Sequence, residues 1–375
     1  MVNKIQGIIA VPESLNYDAT LLFSVLFLVG IGIVMVYSAS SALALKKFGT
    51  DYFFLKKQVI AASAGLAALI MCRNIPLKFF RLSAYPLLFV AFFLLTAIQV
   101  SSYGLSVKGA SRWLSFGSFT FQPSEFARFV MVIYLAYSMS KKQGNAMKDF
   151  YIGFLPHVIV MGLFTAMILL QPDFGSAVIL AAITWIMMFV GGVRITHLVL
   201  SLVPLIPVVY YLLVSANYRM GRLTSFWEPW QHASNGGYQI IHSLMAFGTG
   251  GVWGAGIGQG YQKLFYLPEP HTDFIFSVIG EELGLVGVMF ILVLYVLILL
   301  RGVRIAMDAK DPFASYLAAG ITVAICIPVC VNMGVALALL PTKGLTLPFI
   351  SHGGTSLLLN MASIGLLMNI AAIED

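Results

Sequence analysis

The chain has 375 residues, 59% of them hydrophobic and only 10% charged, against roughly 25% charged in soluble domains, which excludes a soluble globular fold. The net charge of +7 is spread between the apolar runs without a basic cluster. Nucleic-acid binding therefore has no footprint, and contact with anionic lipid or phosphate is the better use of these cations. Cys72, Cys326 and Cys330 sit in apolar runs and make neither a disulfide nor a metal framework.

Residues 1–18 lack a small-residue cleavage site after a short apolar core. They read as a tail, with the first apolar run acting as an uncleaved signal. At about 20 apolar residues per crossing, the sequence predicts a single all-α, polytopic membrane domain. Its helices are expected over 19–42, 56–72, 80–100, 123–140, 150–170, 174–192, 196–214, 273–300, 313–340 and 354–372. An even number of spans puts both termini on one side. The Lys/Arg loop bias is nearly even, and the termini are assigned to the cytoplasm. Residues 215–272 then form one large extracytoplasmic loop.

In chain order, 101–122 is polar and aromatic and long enough to fold over the membrane surface. It runs into Pro123-Ser124-Glu125, where Pro and an acid open a helix. Glu125 and Arg128 are three apart and can pair on one face, as a structural ion pair or beside a polar cavity. Gln171-Pro172-Asp173-Phe174-Gly175 reads first as a turn between two spans. In the long loop, Trp227 and Trp230 suit interface anchoring, and 239–247 suits a short helix lying on the membrane. The Gly-rich run 248–260, followed by Lys263, is either a flexible linker or a backbone cradle for phosphate. No Walker pattern supports the second.

The stretch that concentrates chemistry is 265–284, FYLPEPHTDFIFSVIGEELG. Pro268 and Pro270 keep the entry extended, so a helix is expected to start near His271–Asp273, with Asp273 at the positive end of its dipole. Glu281 and Glu282 follow roughly 12–13 Å deeper. A carboxylate at that depth costs about 2.5–3.5 kcal/mol unless partnered. Near the end, PTKGLTLPFISHGGTS (341–356) packs Lys343, two prolines, Ser351, His352 and a Gly pair into one short segment. It reads as a bent, re-entrant element lining a cavity.

YLPEPHTDFIFSVIGEELG, GASRWLSFGSFTFQPSEFARF, QPDFGSA, GYQIIHSLMAFGTGGVWGAGIGQGYQK and PTKGLTLPFISHGG together resemble the SEDS family of shape, elongation, division and sporulation proteins. The resemblance covers most of 34–373. MVYSAS at 35–40, Gln262-Lys263 and PTKGLTLPFIS look like the division branch more than the elongation branch. It implies a ten-span glycosyltransferase of the bacterial inner membrane, both termini cytoplasmic, acting at the division septum. Its substrate there is lipid II, polymerised into glycan strands on the outer face. The implied partners are a class B penicillin-binding transpeptidase and other division proteins, besides membrane lipid. The family's essential aspartate corresponds to Asp273. Two positions depart from its pattern: Pro270 replaces Ala in LPEAHTDF, and SHGGTS replaces SYGGSS, so a role for that Tyr does not transfer to His352.

The implied reaction is an inverting displacement of a lipid pyrophosphate by a sugar hydroxyl. It needs a base and a stabiliser for the departing charge. Asp273 suits the base. Lys343, Lys263, Arg112 and Lys108 suit the charge, with Glu269, His271, Ser351 and His352 as further substrate contacts. A divalent cation, magnesium or manganese, stays open, since no tight cluster fixes a metal site. Two other functions compete: a lipid-linked-oligosaccharide flippase, suggested by intramembrane Glu125, Arg128, Glu281 and Glu282, and a non-catalytic division scaffold.

Overall fold

The structure, a computed structural model, describes residues 18–374 apart from 101–103, 108–109, 117–118, 215–216, 235 and 265. The chain starts with α1 (Ala19–Phe48), α2 (Phe53–Asn74) and α3 (Leu77–Val100). Asp18 caps α1 through Leu21 N, and Lys46, Lys47 and the left-handed Gly49 close it. Cations and a C′ glycine stabilise a helix end, so α1 outruns its expected end by six residues.

The segment after α3, expected only to be long enough to fold over the membrane surface, forms an antiparallel sheet in the order β1 (Gly104–Val107), β2 (Ala110–Phe116), β3 (Phe119–Phe121). Val107 pairs with Ala110 and Phe116 with Phe119, so both connections are tight hairpins. Lys108, in the first connection, lies outside the described residues.

The helices α4 (Pro123–Ser140), α5 (Asn145–Lys148), α6 (Leu155–Leu169, entered through one π-helical turn at Phe150–Phe154) and α7 (Phe174–Val190) follow. The expected span 196–214 is broken into α8 (Ile195–Leu202) and α9 (Leu205–Val214). The long loop carries α10 (Asn217–Trp227) and α11 (Tyr238–Gly250), and the chain ends with α12 (Ile275–Asp308), α13 (Pro312–Ala336) and α14 (Gly354–Glu374).

Seven helical runs among the described residues are long and apolar enough to cross a membrane: α1, α2, α3, 150–169, α12, α13 and α14. The other three expected spans are shorter, more polar or broken. α7 has 17 residues, α4 has 18 with Glu125 and Arg128 in its first turns, and α8–α9 is interrupted. α4 is buried along most of its length and packs on α3, α7 and α13, so it forms the centre of the bundle. α14 lies against α2, where Gly365 is so close to the Leu69 carbonyl that a Cβ would sit 2.2 Å from it.

Two features position the site. α11 does not merely lie on a membrane surface: it packs on α12 and α13. Ser243 bonds to Ser277 Oγ at 2.6 Å and donates to the Ala336 carbonyl at 2.5 Å. In addition, 345–351 is threaded into the bundle. Leu347, Phe349 and Ile350 are buried, Tyr295 donates to the Pro348 carbonyl at 2.5 Å, and a Cβ on Gly32 of α1 would meet the backbone of Ile350 at 2.8 Å. The re-entrant reading of this segment agrees with that burial. α13 accordingly stops at Ala336, not 340, with Ala338 at φ 56° turning the chain inward.

Candidate functional site

Two clusters of charge emerge, and they behave differently. The inner one surrounds a break in α12, where Gly284 takes φ 65°, ψ −165°. The Gly-rich strand of the long loop runs along this break. Ala255 N donates to the Glu281 carbonyl at 2.9 Å, Gly256 N to that of Glu282 at 3.0 Å, and Leu285 N to that of Gly251 at 2.9 Å. A Cβ on Gly254 would sit 2.2 Å from the Glu282 carbonyl. The glycines are there so that backbone can approach backbone, which replaces both the linker and the phosphate-cradle expectations.

The carboxylates complete this inner cluster. Glu281 accepts from Tyr261 N at 2.8 Å and Gln262 N at 3.2 Å. Glu282 accepts from Gly258 N at 3.0 Å, from Ser38 Oγ at 2.7 Å and from Lys263 Nζ at 2.6 Å. Lys263 is 8% exposed and also donates to Ser38. It is consumed by this network and does not face phosphate, contrary to the expectation from its place after the Gly-rich run. Glu281 and Glu282 are likewise structural acceptors, not a transport path.

The outer cluster is built from three places in the chain. Asp273 lies in the turn ahead of α12, whose N-cap is Phe274 with no side-chain cap; the expectation that Asp273 opens the helix is therefore corrected by two residues. Asn332 of α13 fixes that turn. Its amide donates to the Asp273 carbonyl at 2.9 Å and to the Leu345 carbonyl at 2.6 Å. This clamps the turn to the threaded segment and sets the half-buried Asp273 over Gly344, where a Cβ would come within 2.9 Å of Oδ2. One residue earlier, Lys343 runs back over the N-terminus of α7: its ammonium is 5.4 Å from the centre of the Phe174 ring. Arg112 of β2 meets the same corner, 3.9 Å from Asp173 Oδ1, and donates to the Pro172 carbonyl. Burial lowers the pKa of Lys343, and Asp173 opposes that shift.

The remaining expected contacts are distributed around this turn. Ser351 donates to the Thr272 carbonyl at 2.6 Å and accepts from Leu347 N at 2.8 Å, so it holds backbone. His352 N donates to the His271 carbonyl at 2.9 Å, and its Nδ1 is 3.1 Å from Gln58 Oε1. The Phe54 ring lies tilted against His271, centroids 4.5 Å apart, and edge-on to His352 at 5.4 Å. Burial holds both imidazoles at a pKa of about 4. They brace the turn from behind, while Glu269 is exposed at φ 51°. The Glu125–Arg128 pair forms as expected, at 2.5 Å and buried, against a small cavity lined by Asn360 and Ser363 of α14. Among the described residues no three His, Cys, Asp or Glu side chains converge as a metal site.

Sequence reasoning missed Asn332 and Gln58 and undervalued Asp173. An Asn inside PVCVNMGVA is a weak signal of a buried clamp, and Gln58 carried none.

The family model of cell cycle proteins that covers FtsW, RodA and SpoVE matches residues 19–375. A probable peptidoglycan glycosyltransferase FtsW from Geobacter metallireducens is 44% identical over 356 residues, 95% of each chain. Stage V sporulation protein E of Bacillus subtilis is 41% identical over 94% of this chain and 96% of its own. Among solved structures, one from a peptidoglycan synthase complex that coordinates polymerization and crosslinking superposes with a TM-score of 0.79 at 27% identity, covering 96% of this chain and 99% of its own. The rod shape determining protein RodA of Thermus thermophilus superposes at 0.70 and 28% identity, over 96% and 98%. With that match running through the Asp273 turn, the threaded segment and the Gly-rich strand alike, the chain belongs to the SEDS family of polytopic membrane proteins.

Proposed function

We propose that this chain is a peptidoglycan glycosyltransferase that polymerises lipid II, with Asp273 as its general base. The relatives it matches along nearly their whole length carry the enzyme name. The observation that carries the residue assignment is the convergence of a half-buried carboxylate, Asp273, with Lys343 one residue from the glycine it overlies.

The acceptor sugar's 4-hydroxyl gives its proton to Asp273 as its oxygen attacks the anomeric carbon of the donor. The bond from that carbon to the diphosphate oxygen breaks, and both electrons leave with the lipid diphosphate. Inversion follows from in-line attack. Positioned base catalysis is typically worth about 10²–10⁴-fold, and Lys343 and Arg112 offset charge on the leaving diphosphate in a site of low effective dielectric. The active face is extracytoplasmic with both termini cytoplasmic, and a class B penicillin-binding transpeptidase is the partner at the septum, by analogy with the synthase complex.

The test is strand length on a gel from lipid II with the purified complex. Asp273→Asn abolishes strands while the protein stays folded and partner-bound; near-normal strands from that variant contradict the assignment. Against a flippase, Glu281 and Glu282 are already saturated by the chain, and Glu125 and Arg128 are paired with each other.

A further inference from the structure

The sequence around Asp173 reads as an ordinary turn, yet this residue is 5% exposed. It does two jobs at once. As the N-cap of α7 it accepts from Ser176 N at 3.2 Å on Oδ1 and from Ser176 Oγ at 2.8 Å on Oδ2. As a counter-charge it lies 3.9 Å from Arg112. Gly175 is the floor on which its two neighbours meet: a Cβ there would be 3.2 Å from Lys343 Cε and 3.4 Å from Asp173 Oδ1. The next residue after Lys343 is Gly344, whose added Cβ would touch Asp273 Oδ2. A cap alone needs none of this, since Asn caps as well as Asp.

We propose that Asp173 is a positioning residue for glycosyl transfer, its carboxylate gathering Arg112 and Lys343 into one cationic pair beside Asp273 to receive the donor's diphosphate. This rests on the polymerase reading above. Two long, flexible cations converging from β2 and the threaded segment repel each other and otherwise lose side-chain freedom on ordering. A buried carboxylate between them offsets both costs before substrate arrives, which is preorganisation. The charge that acts on Lys343 is Asp173 from α7; Arg112 from β2 meets that same carboxylate, and Asp273 from the turn before α12 lies against the next residue, Gly344. Burial lowers the pKa of Lys343, and the Asp173 charge opposes that shift.

The sign of the pH effect follows. The pair acts while Lys343 is charged and fails as pH rises through its pKa. Without the Asp173 charge that pKa falls, so failure begins at lower pH.

The experiment measures initial polymerisation rates from lipid II between pH 6 and 9.5, per folded molecule of purified complex. Asp173→Asn, Asp173→Asn with Lys343→Arg, and Asp273→Asn are run beside the unaltered chain. Asp173→Asn stays folded, because the cap survives, and its melting temperature falls only modestly with the lost counter-charge. It loses roughly tenfold in rate near neutrality, the scale of one charge-assisted contact, and its alkaline decline starts at lower pH. Adding Lys343→Arg moves that decline back up, because guanidinium does not deprotonate in this range. Normalising to folded protein keeps the pH profile readable even if yield falls. A wild-type profile for Asp173→Asn, or an alkaline shift that persists with Arg at 343, overturns the proposal and leaves Asp173 a helix cap. Failure of the polymerase reading shows separately, as Asp273→Asn retaining strands.

Discussion

The inner and outer clusters contain similar residues and have opposite character. Around Gly284, two glutamates, a lysine and a serine satisfy one another and the backbone of the Gly-rich strand. Around Gly344, a half-buried aspartate and two cations come from three distant segments, and the aspartate's turn is clamped through backbone by Asn332 and Ser351. Charge inside a membrane protein is often taken as a mark of function. Here the fully buried carboxylates, Glu281 and Glu282, hold the fold, and the half-buried Asp273 is the one proposed for chemistry. What separates them is burial: Glu281 and Glu282 are essentially unexposed, whereas Asp273, Lys343 and Arg112 are half-buried.

The largest effect expected from breaking this contrast is on stability, at the inner cluster. Lys263→Met strands Glu282 in a site where it is essentially unexposed. Removing one partner of such a pair typically costs about 3–5 kcal/mol, so folded yield in detergent collapses. Restoring a neutral match with Glu282→Gln recovers part of it. Yield unaffected by Lys263→Met shows that the network is not what holds the Gly-rich strand to α12.

Next is a geometric lesion at the outer cluster. In Gly344→Ala, the new methyl meets the Asp273 carboxylate at 2.9 Å. The far end of that side chain moves more easily than backbone. The variant therefore folds and melts normally but loses about 10²-fold in rate, the usual consequence of displacing a catalytic group by ~1 Å. Unchanged turnover places the working position of Asp273 away from Gly344.

Smaller again is the Glu125–Arg128 pair beside its cavity in α4. Arg128→Leu lowers folded yield, and adding Glu125→Leu partly restores it, because the single change leaves a buried charge alone. Yield intact with activity lost in both single variants makes the pair part of the substrate path.

The mildest effect is on pH. His271 and His352 titrate near 4 in the folded protein, below the usual 6.5 of an exposed imidazole. The unfolded chain therefore binds protons first as pH falls. The stability that these residues contribute is complete above about pH 6.5 and declines toward pH 4, by on the order of a few kcal/mol for the coupled pair. Thermal melts between pH 7 and 4.5 show this decline, and replacing both by Gln flattens it. A slope that survives the replacement assigns it to other groups.

What the sequence disclosed follows the range of each interaction. Glu125 and Arg128 are three residues apart on one helix, so their pairing was legible. The apolar runs located most helices, and the prolines and glycines of 341–356 announced a bent segment. The Lys263–Glu282 pair joins a loop to a helix through tertiary packing, and Ser38 is 244 residues from the carboxylate it touches. No local pattern reports such a contact, so Lys263 looked like a phosphate ligand. The β1–β3 hairpins were hidden because Gly, Ser and aromatic residues alternate weakly between two membrane helices. The turn at Asp173 resembled any Pro-Asp turn, since its meaning depends on Lys343, 170 positions later.

The most direct test compares the clusters in one pair of variants, Asp273→Asn and Glu282→Gln. Melting temperature and polymerisation rate per folded molecule are measured on the same preparations with lipid II. The account predicts a crossover: Asp273→Asn melts like the unaltered chain and makes essentially no strands, whereas Glu282→Gln melts lower and, once folded, polymerises at a near-normal rate. The reverse pattern, strands from Asp273→Asn and a stable but inactive Glu282→Gln, contradicts it and moves the chemistry to the inner cluster.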